Sequence, residues 1–277
     1  MNNSNGWKPK PNQQTAPMKA KPDLRAKYQL PAQPENVEKI ANLAKGRDLA
    51  TMEEITEIIS TDSGVTQRLI SMAYPKKDAR LGATVQMATS RLGVNRVIVV
   101  MVGDLLTKAM HETFETMLEM PLVLEEHSEM SLADHGFLTG SVRFTGQSNG
   151  LVTLAFSPHF SLMIAGRLLG GNMDEHTPEA INDVIGELVN IVTGNLQSKL
   201  CDAGLPSEVG LPQVSFQNTL PEEAVPGGST DQFFFRHGAH TIAVCLSIDP
   251  SPHPVATPAA PPKAPLTHGN VWRANRP

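Results

Sequence analysis

Apolar residues recur at helical spacing from about residue 30 to residue 106. Side chains three and four positions apart lie on one face of a helix, so each run predicts a helix with a buried face. The runs are separated by residues that start or stop helices, among them the capping pair Thr51 and Glu54, then Pro75 and Gly93. The pattern therefore predicts five helices, the last of them over 94–106.

After residue 107 the pattern becomes mixed. A further helix ends before Pro121, a short one starts at Ser157-Pro158, and a long one covers 178–202. Strand-like runs occur at 136–144, 151–156, 209–217, 232–236 and 241–248, the first two joined by the turn-forming Ser148-Asn149-Gly150. This order predicts an α+β fold: an antiparallel sheet with helices on one face, preceded by a small all-α part.

Both ends of the chain lack apolar periodicity. Residues 1–28 are rich in Asn, Gln, Lys and Pro with an excess of basic side chains, and residues 251–277 are rich in Pro and Ala. Such segments bury too little apolar surface to offset the entropy of ordering, so we expect two disordered tails. An electrostatic docking arm is the alternative for the basic tail. The folded parts are then 29–106 and 107–250.

Composition excludes several classes of protein. The net charge of −5 argues against a nucleic-acid binder, and two cysteines, Cys201 and Cys245, cannot form a disulfide framework. The polar N-terminus does not resemble a signal peptide, and no apolar run is long enough to span a bilayer. We therefore expect a cytoplasmic protein with reduced thiols.

The long helix has two unlike faces. Its apolar face is formed by Ile181, Ile185, Leu188, Val192 and Leu196. The opposite face carries a stripe at steps of four, three, four and three, consisting of Asp183, Glu187, Asn190, Gly194 and Gln197. An ordinary solvated face is one interpretation of this stripe.

Two features of the stripe favour a docking surface instead. Gly194 lies well inside the helix, where an exposed glycine costs about 1 kcal/mol relative to alanine. A missing side chain does let another backbone come close. The stripe also contains no Lys or Arg, and Lys199 is the first basic residue of the helix.

Glu187 and Asn190 can divide a hydrolytic reaction between them. Hydrolysis of an aspartyl-phosphate needs an in-line water, charge neutralisation and a metal ion, which a partner can hold. The amide of Asn190 offers a donor and an acceptor and can orient a water without being ionised. Glu187 can pair with a lysine of the partner, or it can act as a general base.

The full spacing of the stripe carries a resemblance to a known family. Asp183, Glu187 and Asn190, with Gly194-Asn195 and a spacer over 191–211 before Pro212, resemble the motif of the CheC, CheX and FliY chemotaxis phosphatases. One such helix is present, as in the CheX branch, and the resemblance covers roughly 107–249.

The resemblance implies a phosphatase for the phosphorylated receiver domain of a CheY-like response regulator. Glu187 would contact the receiver's lysine, Asn190 would position water, and Asp183 and Pro212 would be structural motif members. It implies a homodimer formed through the sheets, with Mg²⁺ held by the receiver and no cofactor held by this chain. A non-catalytic adaptor and a purely structural dimerisation unit remain the alternatives.

The helical part resembles the N-terminal half of HDOD domains, the signalling relatives of HD hydrolases that lack the metal site. The matching residues are Leu30-Pro31, Pro34, Ile59 with Asp62, Thr66 with Leu69, and Arg91-Leu92-Gly93 with Val97. The second half of such a domain is missing from the sequence, so the resemblance implies a truncated, non-catalytic interaction module.

The remaining candidates are histidines and one aromatic run. His135, His237 and His240 lack the three or four converging ligands that a metal site needs, so no metal site is predicted. Phe233–Phe235 predicts an ordinary strand or a dimer edge.

Overall fold

The computed structural model describes residues 34–45, 51–75, 82–125, 136–171, 176–219 and 224–249. The two predicted tails, 1–28 and 251–277, and the candidate His135 lie outside these ranges. No helix in the described part of the chain combines the length and the apolar run that crossing a bilayer requires.

Four short helices precede the sheet, as the pattern predicts. They are α1 (Pro34–Lys45), α2 (Met52–Ser60), α3 (Ser63–Ala73) and α4 (Val85–Leu92). The capping box before α2 is confirmed, because the Glu54 amide donates to the Thr51 hydroxyl and the Thr51 amide donates to the Glu54 carboxylate. Gly93 ends α4 with φ of +80°, a value that favours glycine.

The fifth helix differs from the prediction. The runs 94–106 and 109–118 form one continuous helix, α5 (Val94–Leu118), so the expected boundary after residue 106 falls inside it. Thr107 and Lys108 carry no helix-breaking chemistry, and the Thr107 hydroxyl donates back to the Gly103 carbonyl within the helix. The two helices predicted on either side of residue 107 differ only in their apolar pattern, and they form one helix.

Seven strands form a single antiparallel sheet in the order β1-β6-β7-β3-β2-β4, with β5 also paired to β2. Their bounds are β1 (Val123–Glu125), β2 (Phe137–Gly146), β3 (Asn149–Phe156), β4 (Ser207–Val209), β5 (Gln213–Gln217), β6 (Ser229–His237) and β7 (His240–Asp249). The expected turn at Ser148-Asn149-Gly150 is tighter than predicted, because Asn149 already belongs to β3.

Two strand predictions need correction. The run 209–217 is not one strand, because Gly210, Leu211 and Pro212 interrupt it between β4 and β5. Proline cannot donate to a sheet and breaks the ladder there. Strand β1, which pairs with β6, was not predicted. As a consequence Phe234 and Phe235 lie in a strand that is paired on both sides, so the alternative of a dimer edge is wrong for this run.

The helices α6 (Pro158–Leu169) and α7 (Pro178–Asp202) pack on the same face of the sheet as α5. Gly140 of β2 makes the contact with α7 possible, because a Cβ there would lie 2.6 Å from Val189 Cγ2 and 3.2 Å from Ile185 Cγ2. The α+β class, with an antiparallel sheet and helices on one face, is confirmed.

The helical part is joined to the sheet by more than α5 alone. The guanidinium of Arg96 donates to the Thr230 carbonyl and pairs with Asp231 of β6 at 3.0 Å. Arg68 of α3 forms an ion pair with the buried carboxylate of Asp104 on α5. Buried apolar side chains of α1 to α5 and of the sheet belong to one hydrophobic core.

Candidate functional site

Helix α7 begins and ends where its sequence predicts. The Thr177 hydroxyl accepts a hydrogen bond from the Ala180 amide at 3.3 Å, and Pro178 occupies the first turn, where its missing N–H costs nothing. Gly204 follows the helix with φ of +70°. Defined ends fix the angular position of every side chain along the helix.

The middle of the predicted stripe is open. Asp183 and Glu187 are exposed, Asn190 is half-buried, and none of these three side chains forms a hydrogen bond or ion pair with another described residue. A Cβ added at Gly194 would meet no atom within 4 Å beyond its own helix. The chain's own packing therefore does not explain a glycine at this position.

Side chains next to the stripe hold α7 firmly on its neighbours. The Asn195 amide donates to the Thr113 hydroxyl of α5 at 2.9 Å, and the Lys199 ammonium lies 2.6 Å from the Glu112 carboxylate. Sequence reasoning missed both contacts, because residues that are distant along the chain carry no local pattern. They place the open stripe on a rigid element.

Gln197 is placed differently from the rest of the stripe. Its side-chain nitrogen donates to the Ser207 carbonyl at 2.7 Å and contacts the Cys201 sulfur at 3.1 Å. The amide thus connects α7 to the first residue of β4. The donor of Gln197 is therefore used within the chain, and a role of this side chain in partner docking stays a prediction.

Pro212 lies at the other end of the same connection. A Cβ added at Gly186 would lie 3.8 Å from both Cβ and Cγ of Pro212 and 3.3 Å from Cγ2 of Val214. Residues 207–212, the β4–β5 segment, therefore run beside α7 from Gln197 back to Gly186. The helix rises about 16 Å over this interval, close to the reach of six extended residues.

The β4–β5 segment borders the stripe on one side. Asn190 lies four residues after Gly186, so the two positions are neighbours on the helix surface. This explains why Asn190 is half-buried whereas Glu187 is exposed. Cβ atoms three residues apart on a helix are about 5–6 Å apart, so one small ligand group can contact both Glu187 and Asn190.

The other candidates have structural explanations. His237 and His240 lie with His159 around the ring of Phe160, and the His240 and Phe160 ring centroids are 4.8 Å apart and nearly parallel. A ring nitrogen of His237 lies 2.9 Å from the Pro121 carbonyl. Within the described ranges no group of three or more His, Cys, Asp or Glu is arranged to hold a metal ion.

The part of the chain that contains α7, its open stripe and the neighbouring strands matches the model of a known family. Residues 138–229 match the family model described as Chemotaxis phosphatase CheX. This CheX-like domain spans β2 to the start of β6 and contains α7 and Pro212. The match does not reach the N-terminal helices, so the HDOD-like interpretation of that part gains no support and stays a prediction.

Several solved structures are similar to about half of the chain. CheX from Vibrio vulnificus is 19% identical with a TM-score of 0.47, over 53% of this chain and 96% of that one. A CheC-like protein from Shewanella sp. PV-4 is 21% identical with a TM-score of 0.46, over 53% and 97%. The CheX–CheY–BeF₃–Mg²⁺ complex from Borrelia burgdorferi is 17% identical with a TM-score of 0.43, over 53% and 97%. No curated protein gives a significant match.

Proposed function

We propose that this chain hydrolyses the aspartyl-phosphate of a CheY-type receiver domain. The observation that carries the proposal is the match of residues 138–229 to a chemotaxis phosphatase family, inside which α7 presents an open carboxylate and an open amide one turn apart. Neither side chain bonds to another described residue, so both are available to a partner.

In this reaction the oxygen of a water molecule attacks phosphorus, and the bond from phosphorus to the aspartyl oxygen breaks. The receiver regains its carboxylate, and the proton released from water leaves with inorganic phosphate or to solvent. Asn190 orients the water through its amide, and Glu187 pairs with the receiver's lysine. Mg²⁺ held by the receiver would neutralise charge on the phosphoryl oxygens.

The polar stripe supports positioning rather than strong binding of the phosphate. Asp183 and Glu187 are acidic and the stripe has no basic side chain, so the surface does not attract phosphate by charge. An acidic stripe without basic side chains suits a reaction in which the partner provides the positive charges, namely the metal ion and the lysine. Asp183, exposed at the start of the stripe, is proposed as a motif member without a direct role in the chemistry.

The test is a phosphatase panel. Each CheY-type receiver of the same organism is phosphorylated with acetyl phosphate and Mg²⁺, and its loss of phosphate is recorded with and without the full chain. We expect at least one receiver to lose phosphate more than tenfold faster than its own decay. If none does, the phosphatase proposal is wrong. Binding without turnover would favour the adaptor. The continuous α5, with its ion pairs to α3 and β6, also suits an adaptor.

A homodimer through the sheets is part of the same proposal. On the sheet face away from the helices, the central side chains Phe137, Ala155 and Ala243 are buried within the single chain. The exposed side chains near that face include Arg143 and Gln232. Sedimentation equilibrium of the full chain distinguishes a dimer from a monomer.

A further inference from the structure

Leu211 is the most exposed large hydrophobic side chain in the described part of the chain. It is 88% exposed, against 51% for Met87 and 38% for Phe216. Isolated apolar side chains on a surface are common and need no explanation by themselves. Its position beside the stripe and the way its backbone is held make Leu211 different.

The backbone on both sides of Leu211 is anchored. The Gly210 amide donates to the Arg143 carbonyl of β2 at 2.8 Å, and Pro212 packs against Gly186 of α7. Anchors on both neighbours keep the leucine side chain in solvent rather than letting it turn inward. It therefore projects into solvent next to Pro212, the residue that packs against Gly186 of α7.

The apolar surface continues from Leu211 into β5. Val214 faces α7, because its Cγ2 lies close to Gly186. Side chains two residues apart share one face of a strand, so Phe216 lies on the same side, and it is 38% exposed. Leu211, Pro212, Val214 and Phe216 thus form an apolar border, and its middle part, Pro212 and Val214, lies beside Gly186 of α7.

Charge alone cannot bring a receiver to this surface. The site of a phosphorylated receiver consists of carboxylates around Mg²⁺ and a phosphoryl group, and the stripe facing it is itself acidic. Opposing acidic groups disfavour contact, and only the receiver's lysine pairs favourably with Glu187. Apolar surface next to the stripe can supply the affinity that charge does not.

We propose that Leu211 is a docking residue for the receiver domain, contacting an apolar surface beside its phosphorylated aspartate while Glu187 and Asn190 reach the phosphate. This inference rests on the proposed phosphatase function. It assigns Leu211 a role in recognition and none in the chemical step. Truncating it should weaken productive encounter and leave turnover of the bound complex unchanged.

The test compares Leu211→Ser with Leu211→Met and Met87→Ser in the full chain, using the receiver that the wild-type protein dephosphorylates fastest. We expect Leu211→Ser to raise KM about tenfold with kcat within twofold, a change typical of losing an apolar interface anchor. Leu211→Met keeps an apolar side chain and should keep KM. Met87→Ser changes an exposed methionine on α4 and should alter neither constant.

The outcomes separate the two proposals. Wild-type turnover with an unchanged KM for Leu211→Ser overturns the docking role and leaves the phosphatase function standing. A fall in kcat without a rise in KM, or an equal rise for Leu211→Met, also overturns it. Failure of the wild-type protein to accelerate any receiver's decay overturns both proposals together.

Discussion

Pro212 packs against Gly186, although the rest of α7 and all of β4 lie between them in sequence. A Cβ at Gly186 would be 3.8 Å from two carbons of the proline ring. Together with the hydrogen bond from Gln197 to Ser207, this contact holds the β4–β5 segment along the helix. The sequence spacing between the helix motif and Pro212 thus brings Pro212 back against Gly186, at the side of the stripe.

The first prediction concerns this contact. Gly186→Val should lower the free energy of unfolding by about 1–3 kcal/mol, because the new methyl groups would overlap Val214 and Pro212. Gly194→Val is the matched control, since the same substitution in the same helix meets open space there. Urea unfolding measures both. Equal effects would show that the segment does not press on Gly186.

Glu187→Ala and Asn190→Ala should each lower the phosphatase rate at least tenfold. Their unfolding free energies should stay within about 0.5 kcal/mol of wild type, because neither side chain bonds to another described residue. The helix supplies its own control pair in Glu179 and Asn182, which have the same residue types and spacing and are both exposed. Alanine at those two positions should leave the rate unchanged. Equal losses at both pairs would remove the special role of the stripe.

Gly194→Ala should separate stability from function. Alanine favours a helix over glycine by about 0.5–1 kcal/mol, and the open space admits the methyl group, so the variant should be more stable. Its KM for the phosphorylated receiver should rise, since the partner's backbone would meet the methyl. Gly140→Ala should instead be destabilised, because its Cβ would lie 2.6 Å from Val189. Thermal unfolding measures the stability of both variants, and receiver kinetics measure their KM. An unchanged KM for Gly194→Ala would exclude a close approach of the partner's backbone to Gly194.

Arg68→Met should destabilise the whole chain, not only the N-terminal helices. Asp104 is buried in α5, and Arg68→Met removes a cationic partner from this carboxylate, at a cost of about 3–5 kcal/mol. Because α5 is shared by both parts, we expect one cooperative unfolding transition. Arg143→Met, on an exposed arginine of β2, is the control. Two separate calorimetric transitions would indicate independent domains.

The chain should lose stability as the pH falls from about 7.5 to 5.5. Burial lowers the pKa of His111, partly offset by the Glu115 carboxylate. Burial also lowers the pKa of His240, and positive charge on His159 and His237 adds to the effect. When the pKa of a histidine is lower in the folded than in the unfolded state, its contribution to stability is fully present above the pKa of the unfolded state. That contribution is lost as the pH falls through the pKa of the folded state.

Chemical denaturation across that pH range measures the histidine effect. Replacing both His111 and His240 with glutamine should flatten the profile, because glutamine does not titrate. Asp231 acts with the opposite sign: burial raises its pKa despite Arg96, so its contribution is greatest at low pH and falls as the pH rises through the raised value. A profile that steepens in the double variant would contradict the assignment.

Local chemistry in the sequence was sufficient for most helix ends. Three helices are capped by the side chains of Thr51, Ser157 and Thr177, and each of these accepts a hydrogen bond from a backbone amide three residues further on. Both partners of each bond are therefore visible in one short stretch of sequence. The division of α7 into an apolar and a polar face follows from helical periodicity in the same way. The order of elements also sufficed for the α+β class.

Contacts between distant residues decided the rest. The fusion of two helices into α5 and the addition of β1 to β6 depend on packing partners far along the chain. The sequence predicted which residues form the stripe, but it did not predict which of them are free of contacts with the rest of the chain. Only the tertiary structure showed that Gln197 bonds to Ser207, that Pro212 lies beside Gly186, and that Leu211 is in solvent. Periodicity fixes which side chains share a face, whereas the elements packed against that face determine which of them a partner can reach.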